Sequence, residues 1–199
     1  MKRVLQVLVV VVTFLVVGFG VHHMFTSSSS EQAATKTQKQ STQTAAQKSK
    51  KKQPVINWRK PSEDKPYPKI SQLSDPWIRV SIKNQRVYIK DGTKTVYTMF
   101  ASTGVNDSTP KGTFHIQAER GDFFYNQQSG EGAKYWTSFK DHGIYLFHTV
   151  PTDQYGNYNK EEAAQLGKEA KSHGCVRLSV PDAKWFYTHI PEGMKVVVE

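Results

Sequence analysis

Ile78, Val80 and Ile82 alternate with Arg79, Ser81 and Lys83. A period of two with one apolar face describes a half-buried strand, so this part of the chain is committed to sheet. Val87–Lys90 and Thr95–Ala101 predict two further strands, and Asp91-Gly92 between them is a hairpin turn signal. Lys111-Gly112 turns into a strand over Thr113–Gln117, Ile144–His148 is a short apolar strand after Gly143, and Met194–Val198 reads as a closing strand. Glu161–Ala170 has helical composition. Pro181–His189 predicts a second helix, with Pro181 in its first turn and Ser179 as its cap. Strands dominate at short spacing, with one or two short helices, which predicts a mainly β domain over residues 76–199. The chain's 4 Trp, 9 Tyr and 10 Phe exclude wholesale disorder.

The first 75 residues read differently. After Lys2 and Arg3, no Asp, Glu, Lys or Arg occurs from Val4 to Phe25. An apolar run of that length predicts a single N-terminal transmembrane helix over residues 1–25, with the N-terminus inside. The run is long for a signal peptide, and Val21-His22-His23-Met24-Phe25 is a poor cleavage site. The expectation is therefore a single-pass membrane protein anchored in the membrane by that helix, with the rest of the chain on the extracytoplasmic side. Residues 26–53 are Ser, Thr, Gln, Ala and Lys with no aromatic or branched aliphatic residue, which predicts a disordered linker. Pro54, Pro61, Pro66 and Pro68 stiffen a lead-in that could pack Trp58 and Tyr67 on the domain. The expected boundaries are thus 1–25, 26–75 and 76–199.

A net charge of +10 suggests nucleic acid or another polyanion. Its location argues otherwise. Residues 26–75 hold ten Lys/Arg against four Asp/Glu, whereas residues 76–199 hold fifteen against thirteen. The folded part is close to neutral, so no nucleic-acid partner is expected.

Cys175 is the single cysteine, which excludes an intramolecular disulfide framework and a Cys-rich zinc module. It lies in Ser172-His173-Gly174-Cys175-Val176-Arg177-Leu178. A buried, inert thiol is the plain reading of a lone cysteine. Gly174 beside it permits close backbone approach to a ligand, and several histidines are available as a base. An ordinary thiol is only a few per cent thiolate near neutral pH, so a nucleophilic cysteine needs such a base. His115, His142, His148 and His173 are the candidates. His173 shares a strand face with Cys175 but cannot easily be aimed at its sulfur. His142 sits in a polar turn. His148 ends an apolar strand, where a ring can be held rigidly.

The run Ser172–Leu178 resembles the cysteine motif of the YkuD-type L,D-transpeptidases. Thr103-Gly104 followed by Thr109-Pro110-Lys111-Gly112-Thr113-Phe114 is similar to that family's Thr-Pro-x-Gly-x-Phe segment. Tyr135, Trp136 and Phe139 resemble the aromatic stretch before its histidine strand, Gly143–His148 the histidine strand itself, and Gly193–Val198 its last strand. The resemblance covers roughly Pro76–Glu199. It implies a YkuD-like β-sandwich or barrel and a cysteine acyltransferase acting on peptidoglycan stem peptides, with no metal or other cofactor. Carried over residue by residue, Cys175 is the nucleophile and His148 the base, with the Thr149 hydroxyl or carbonyl orienting the ring. Ser172 and His173 shape the loop, and backbone N–H groups near Gly174 and Cys175 form an oxyanion hole. Arg177 would receive a donor carboxylate, with a loop-supporting salt bridge as its structural alternative. Tyr135 and Trp136 would line the substrate site. One departure stands out: residues 149–171 make a longer connection between His148 and the cysteine motif than the family usually has, and Asp153–Lys160 reads as an inserted loop. Water as acceptor would give an L,D-carboxypeptidase. A zinc hydrolase using His148, His173 and Cys175, or a non-catalytic wall-binding module, are the other classes.

Overall fold

The computed structural model describes residues 56–199. Nine strands form one sheet: β1 (Pro76–Ser81), β2 (Arg86–Asp91), β3 (Lys94–Ser102), β4 (Gly112–His115), β5 (Arg120–Asn126), β6 (Glu131–Lys140), β7 (Tyr145–Thr149), β8 (Val176–Leu178) and β9 (Lys195–Val198). Their spatial order is β4-β9-β1-β2-β3-β8-β7-β6-β5. Two helices accompany them, α1 (Lys160–Ala163) and α2 (Val180–His189). The mainly β expectation and the two short helices agree with this architecture.

The sheet folds over at β3, and both halves turn apolar side chains inward. Ile78, Val80, Val87, Ile89, Tyr97, Met99, Val196 and Val198 of one half share a core with Phe139, Phe147, Val176 and Leu178 of the other. Ile78 and Val80 are fully buried while Trp77 and Arg79 are only half-buried, as alternation along a strand requires. Ala183, Phe186 and Ile190 of α2 complete that core, with the Phe186 ring stacked on Phe147 at 4.4 Å between centroids. Beyond β4, the Gln117 N–H donates to the Ser138 carbonyl at 2.8 Å and the Ser138 N–H to that of Glu119 at 2.9 Å. The far edge of the sheet thereby returns towards β6 and gives a half-barrel.

Ser179 caps α2 as expected, accepting from the Asp182 N–H at 3.2 Å. The helix over Glu161–Ala170 shrinks to the four residues of α1 followed by turns, with Gly167 in the left-handed region at φ +70°. The strands β5, β6 and β8 are additional to the sequence reading.

The membrane expectation is corrected. No helix among the described residues is long and apolar enough to cross a bilayer. The longest, α2, has ten residues and spans about 15 Å, half of the roughly 30 Å of hydrocarbon. Its apolar side is buried in the protein core. The transmembrane helix predicted over 1–25 lies outside the described residues, as does most of the linker. The membrane anchor, the membrane partner and the single-pass location are not carried further.

Residues 56–75 pack on the domain. Trp58 is buried, and Tyr67 stacks on Trp185 at 5.0 Å while donating its hydroxyl hydrogen to Asp182 at 2.7 Å. Asp182 is fully buried and also accepts from the Ser62 hydroxyl. The proline-rich lead-in is therefore part of the folded unit.

Candidate active site

β7 and β8 run parallel, with Phe147 opposite Val176, His148 opposite Arg177 and Thr149 opposite Leu178. Side chains alternate along each strand, so Phe147 and Val176 point into the core. His148, Arg177 and the preceding Cys175 then share the other face, as diagonal and direct neighbours. All three line one cavity of about 390 Å3, along with Trp136, Ser172, His173 and Gly174. A parallel pair requires a crossover connection, and the long segment from Val150 to Cys175 supplies it.

The ring of His148 is 5 % exposed. Its Nδ1 lies 2.6 Å from the Thr149 carbonyl oxygen. A carbonyl only accepts, so Nδ1 carries the proton and Nε2 presents a free lone pair. Phe124 of β5 packs edge-on to the ring, 5.6 Å between centroids. Burial and the nearby Arg177 charge lower the imidazole pKa to about 4, against the opposing effect of the Thr149 hydrogen bond. The thiol of Cys175 faces the Ile144 carbonyl at 3.5 Å. Desolvation raises its pKa to about 11, with Arg177 lowering it and Glu131 raising it. The resting pair is thus a neutral thiol beside a neutral imidazole.

The cysteine loop is built from within. The Ser172 hydroxyl donates to the Cys175 carbonyl at 2.5 Å and accepts from the Gly174 N–H at 3.1 Å. Gly174 has φ +137°, and a Cβ there would sit 2.9 Å from a Tyr145 ring carbon and 3.1 Å from the Ser108 carbonyl oxygen. Glycine is required on both counts. Ser172 thereby engages the Gly174 N–H, one of the two backbone donors named for an oxyanion hole. His173 is exposed, with Nδ1 3.7 Å from Glu131 Oε2.

Arg177 is 1 % exposed. Its Nη1 donates to Glu162 Oε2 at 2.6 Å, and its Nη2 to both oxygens of Glu131 at 2.9 Å. These contacts match the loop-supporting salt bridge named as its structural alternative, while Arg177 also lines the cavity and its Nε has no partner among the described residues. Tyr135 lies apart from them. Its ring lies 6.1 Å from that of Tyr187, with Lys184 Nζ 5.8 Å away, over α2 and outside the cavity lining. Trp136 does line the cavity, and its ring packs against Gly121, where a Cβ would come within 2.7 Å of Nε1. His142 pairs with Glu119 at 2.8 Å and, with His115, borders a different cavity. Among the described residues no group of three His, Cys, Asp or Glu side chains is placed to hold a metal ion.

Sequence reasoning missed Glu131, Glu162 and Phe124. Glu131 opens β6 directly after the turn that ends at Gly130, a visible turn signal that says nothing of the arginine 46 residues away. Glu162 and Phe124 carry no local signal at all.

Residues 75–198 match the L,D-transpeptidase catalytic domain family, YkuD. A Bacillus subtilis (strain 168) protein, "Putative L,D-transpeptidase YciB", is 50% identical over 147 residues, which cover 72% of this chain and 74% of that one. Among solved structures, an L,D-transpeptidase from Mycobacterium smegmatis aligns with TM-score 0.51 and 18% identity, over 63% of this chain and 58% of its own. One from Mycobacterium tuberculosis H37Rv aligns with TM-score 0.50 and 22% identity, over 63% of this chain and 57% of its own. The chain spans less than two thirds of these structures, and at such identities they speak for the fold alone. The match over 75–198 and the half-identical relative show that this chain belongs to the YkuD family of L,D-transpeptidase catalytic domains.

Proposed function

We propose that the chain carries out cysteine-dependent L,D-transpeptidation of peptidoglycan stem peptides, with Cys175 as nucleophile, His148 as base and residues 76–199 as the catalytic domain. The observation that carries the assignment of roles is the shared face of β7 and β8. It turns Cys175 and a correctly tautomerised His148 into the same cavity.

The Cys175 sulfur attacks the carbonyl carbon of the stem's third residue, and the thiol proton passes to His148 Nε2. An S–C bond forms as the carbonyl oxygen becomes an oxyanion. The Cys175 N–H is the backbone donor suited to that oxyanion, since Ser172 occupies its neighbour on Gly174. Collapse breaks the C–N bond to the terminal D-alanine, and the proton held on Nε2 goes to its departing amine. A thioester remains. An acceptor amine then attacks the thioester carbon, loses a proton to His148, and breaks the S–C bond. The new amide cross-links two stems, and the proton returns to the thiolate. With a raised thiol pKa and a lowered imidazole pKa, proton transfer accompanies attack rather than preceding it.

Mass spectrometry of the intact chain after exposure to a carbapenem, an inhibitor class that acylates this family, tests the assignment. The expected result is a single adduct on Cys175 that is absent from Cys175→Ala. No adduct on the folded protein contradicts it and favours a wall-binding module.

A further inference from the structure

The connection between β7 and β8 does more than close a crossover. Asp153 accepts from the N–H groups of Tyr155 at 2.8 Å and Asn157 at 2.9 Å, which folds the inserted stretch into a tight turn. Thr152 bridges to Gly132 on one side and Tyr158 on the other. Asn159 then caps α1, accepting from the N–H groups of Glu161 and Glu162 at 3.1 Å each. Ala163 and Leu166 are buried with Trp58 and Val150. The Asn159 cap holds the backbone of Glu162, whose side chain ends 2.6 Å from Arg177 Nη1.

We propose that Glu162 is a positioning residue for the acyl transfer. From α1, which follows the inserted loop, it clamps the Arg177 guanidinium against Glu131 in the wall of the Cys175 cavity. The inference rests on the assignment of Cys175 and His148 above. A buried guanidinium held by Glu131 alone could pivot about one nitrogen; a second carboxylate on Nη1 fixes the plane of the fork. The fork lies in register with His148 and on the same face as Cys175. Two carboxylates on one guanidinium also leave the trio with a formal charge of −1. The other titratable groups around the cavity are His148 on β7, His173 in the cysteine loop and Tyr145 at the start of β7. β5 contributes only the uncharged Phe124 and Asn126. Of the charged groups, Arg177 and Glu131 act on the thiol directly in opposite directions, and Glu162 reaches it through Arg177.

Two variants separate positioning from plain support of α1. Glu162→Gln keeps an acceptor for Nη1 and removes one negative charge, so Arg177 is less neutralised and thiolate forms more readily. Cys175 is the only thiol in the chain, so iodoacetamide uptake by the 199-residue protein reports on it alone. The pH midpoint of alkylation should fall by about half a unit in Glu162→Gln. Glu162→Ala should lower kcat for D-alanine release by about tenfold with KM nearly unchanged, and Glu162→Gln should recover most of that loss. Wild-type kcat and midpoint in both variants overturn the proposal. So does a fall in Tm and activity with an unmoved midpoint, which would make Glu162 a prop for α1. If Glu162→Ala does not fold, the midpoint of Glu162→Gln decides. Undiminished D-alanine release by Cys175→Ala would instead refute the assignment of the nucleophile, a separate outcome.

Discussion

At the scale of single residues, the site is a pair of groups whose proton affinities are displaced in opposite directions, both towards the neutral form. A thiol at about 11 and an imidazole at about 4 do not form a resting ion pair. Alkylation of Cys175, which needs thiolate, should keep rising between about pH 7 and pH 10. Acylation by a stem peptide, in which His148 takes the proton during attack, should stay nearly flat between about pH 6 and pH 9. Parallel rate profiles of the two reactions check this, and coincident profiles would contradict it. His148 also carries a stability signature. Its folded pKa is depressed, so the unfolded chain binds the proton more tightly, and stability present above about pH 6.5 is lost as pH falls towards 4. The full loss is about 3 kcal/mol. Denaturation of the wild type and His148→Gln across that range should show a shallower acid slope in the variant. The pair itself was legible in the sequence, because a lone cysteine in a specific motif and a histidine ending an apolar strand are local signals. The partners of Arg177 were not legible. Whether a guanidinium meets substrate or its own protein depends on Glu131 and Glu162, which are remote in sequence.

Among the elements, the cysteine loop and the β7/β8 pair carry the geometry. Gly174→Ala would place a methyl group against Tyr145 and the Ser108 carbonyl at a φ that L-residues avoid. It should cut the acylation rate at least about tenfold while far-UV circular dichroism stays native, because only the loop must move. An unchanged rate would show that the loop tolerates another path. Strands with a clean alternation, such as β1 and β2, were readable residue by residue. β5 was not, because this edge strand buries none of its residues deeply and so presents no core face. β6 was obscured differently, by Tyr135 at φ +54°, and its burial does not alternate strictly. Helical composition over Glu161–Ala170 overstated α1, since tertiary anchoring through Asn159 and Leu166 outweighs propensity in so short a segment.

On the scale of the whole molecule, the folded unit is larger than the family match. The match begins at residue 75, yet Trp58 is buried under the β7–β8 connection, and Ser62 and Tyr67 bind the buried Asp182. A chain starting at residue 76 should unfold with about 3 kcal/mol less free energy than one starting at residue 56, which urea titration of both would measure. Equal stability would mean that the lead-in merely rests on the domain. Proline content signalled stiffness here, whereas the docking partners on α2 lie more than a hundred residues away and were invisible locally. The central claim joins all three scales: one thiol, set by one loop on a folded-over sheet, performs the acyl transfer. The most direct test is to incubate the purified 199-residue chain with a tetrapeptide stem and follow D-alanine release and the protein mass together. The expected result is a thioester adduct on Cys175, release of D-alanine, and loss of both in Cys175→Ala. D-alanine release that persists undiminished in Cys175→Ala would contradict it.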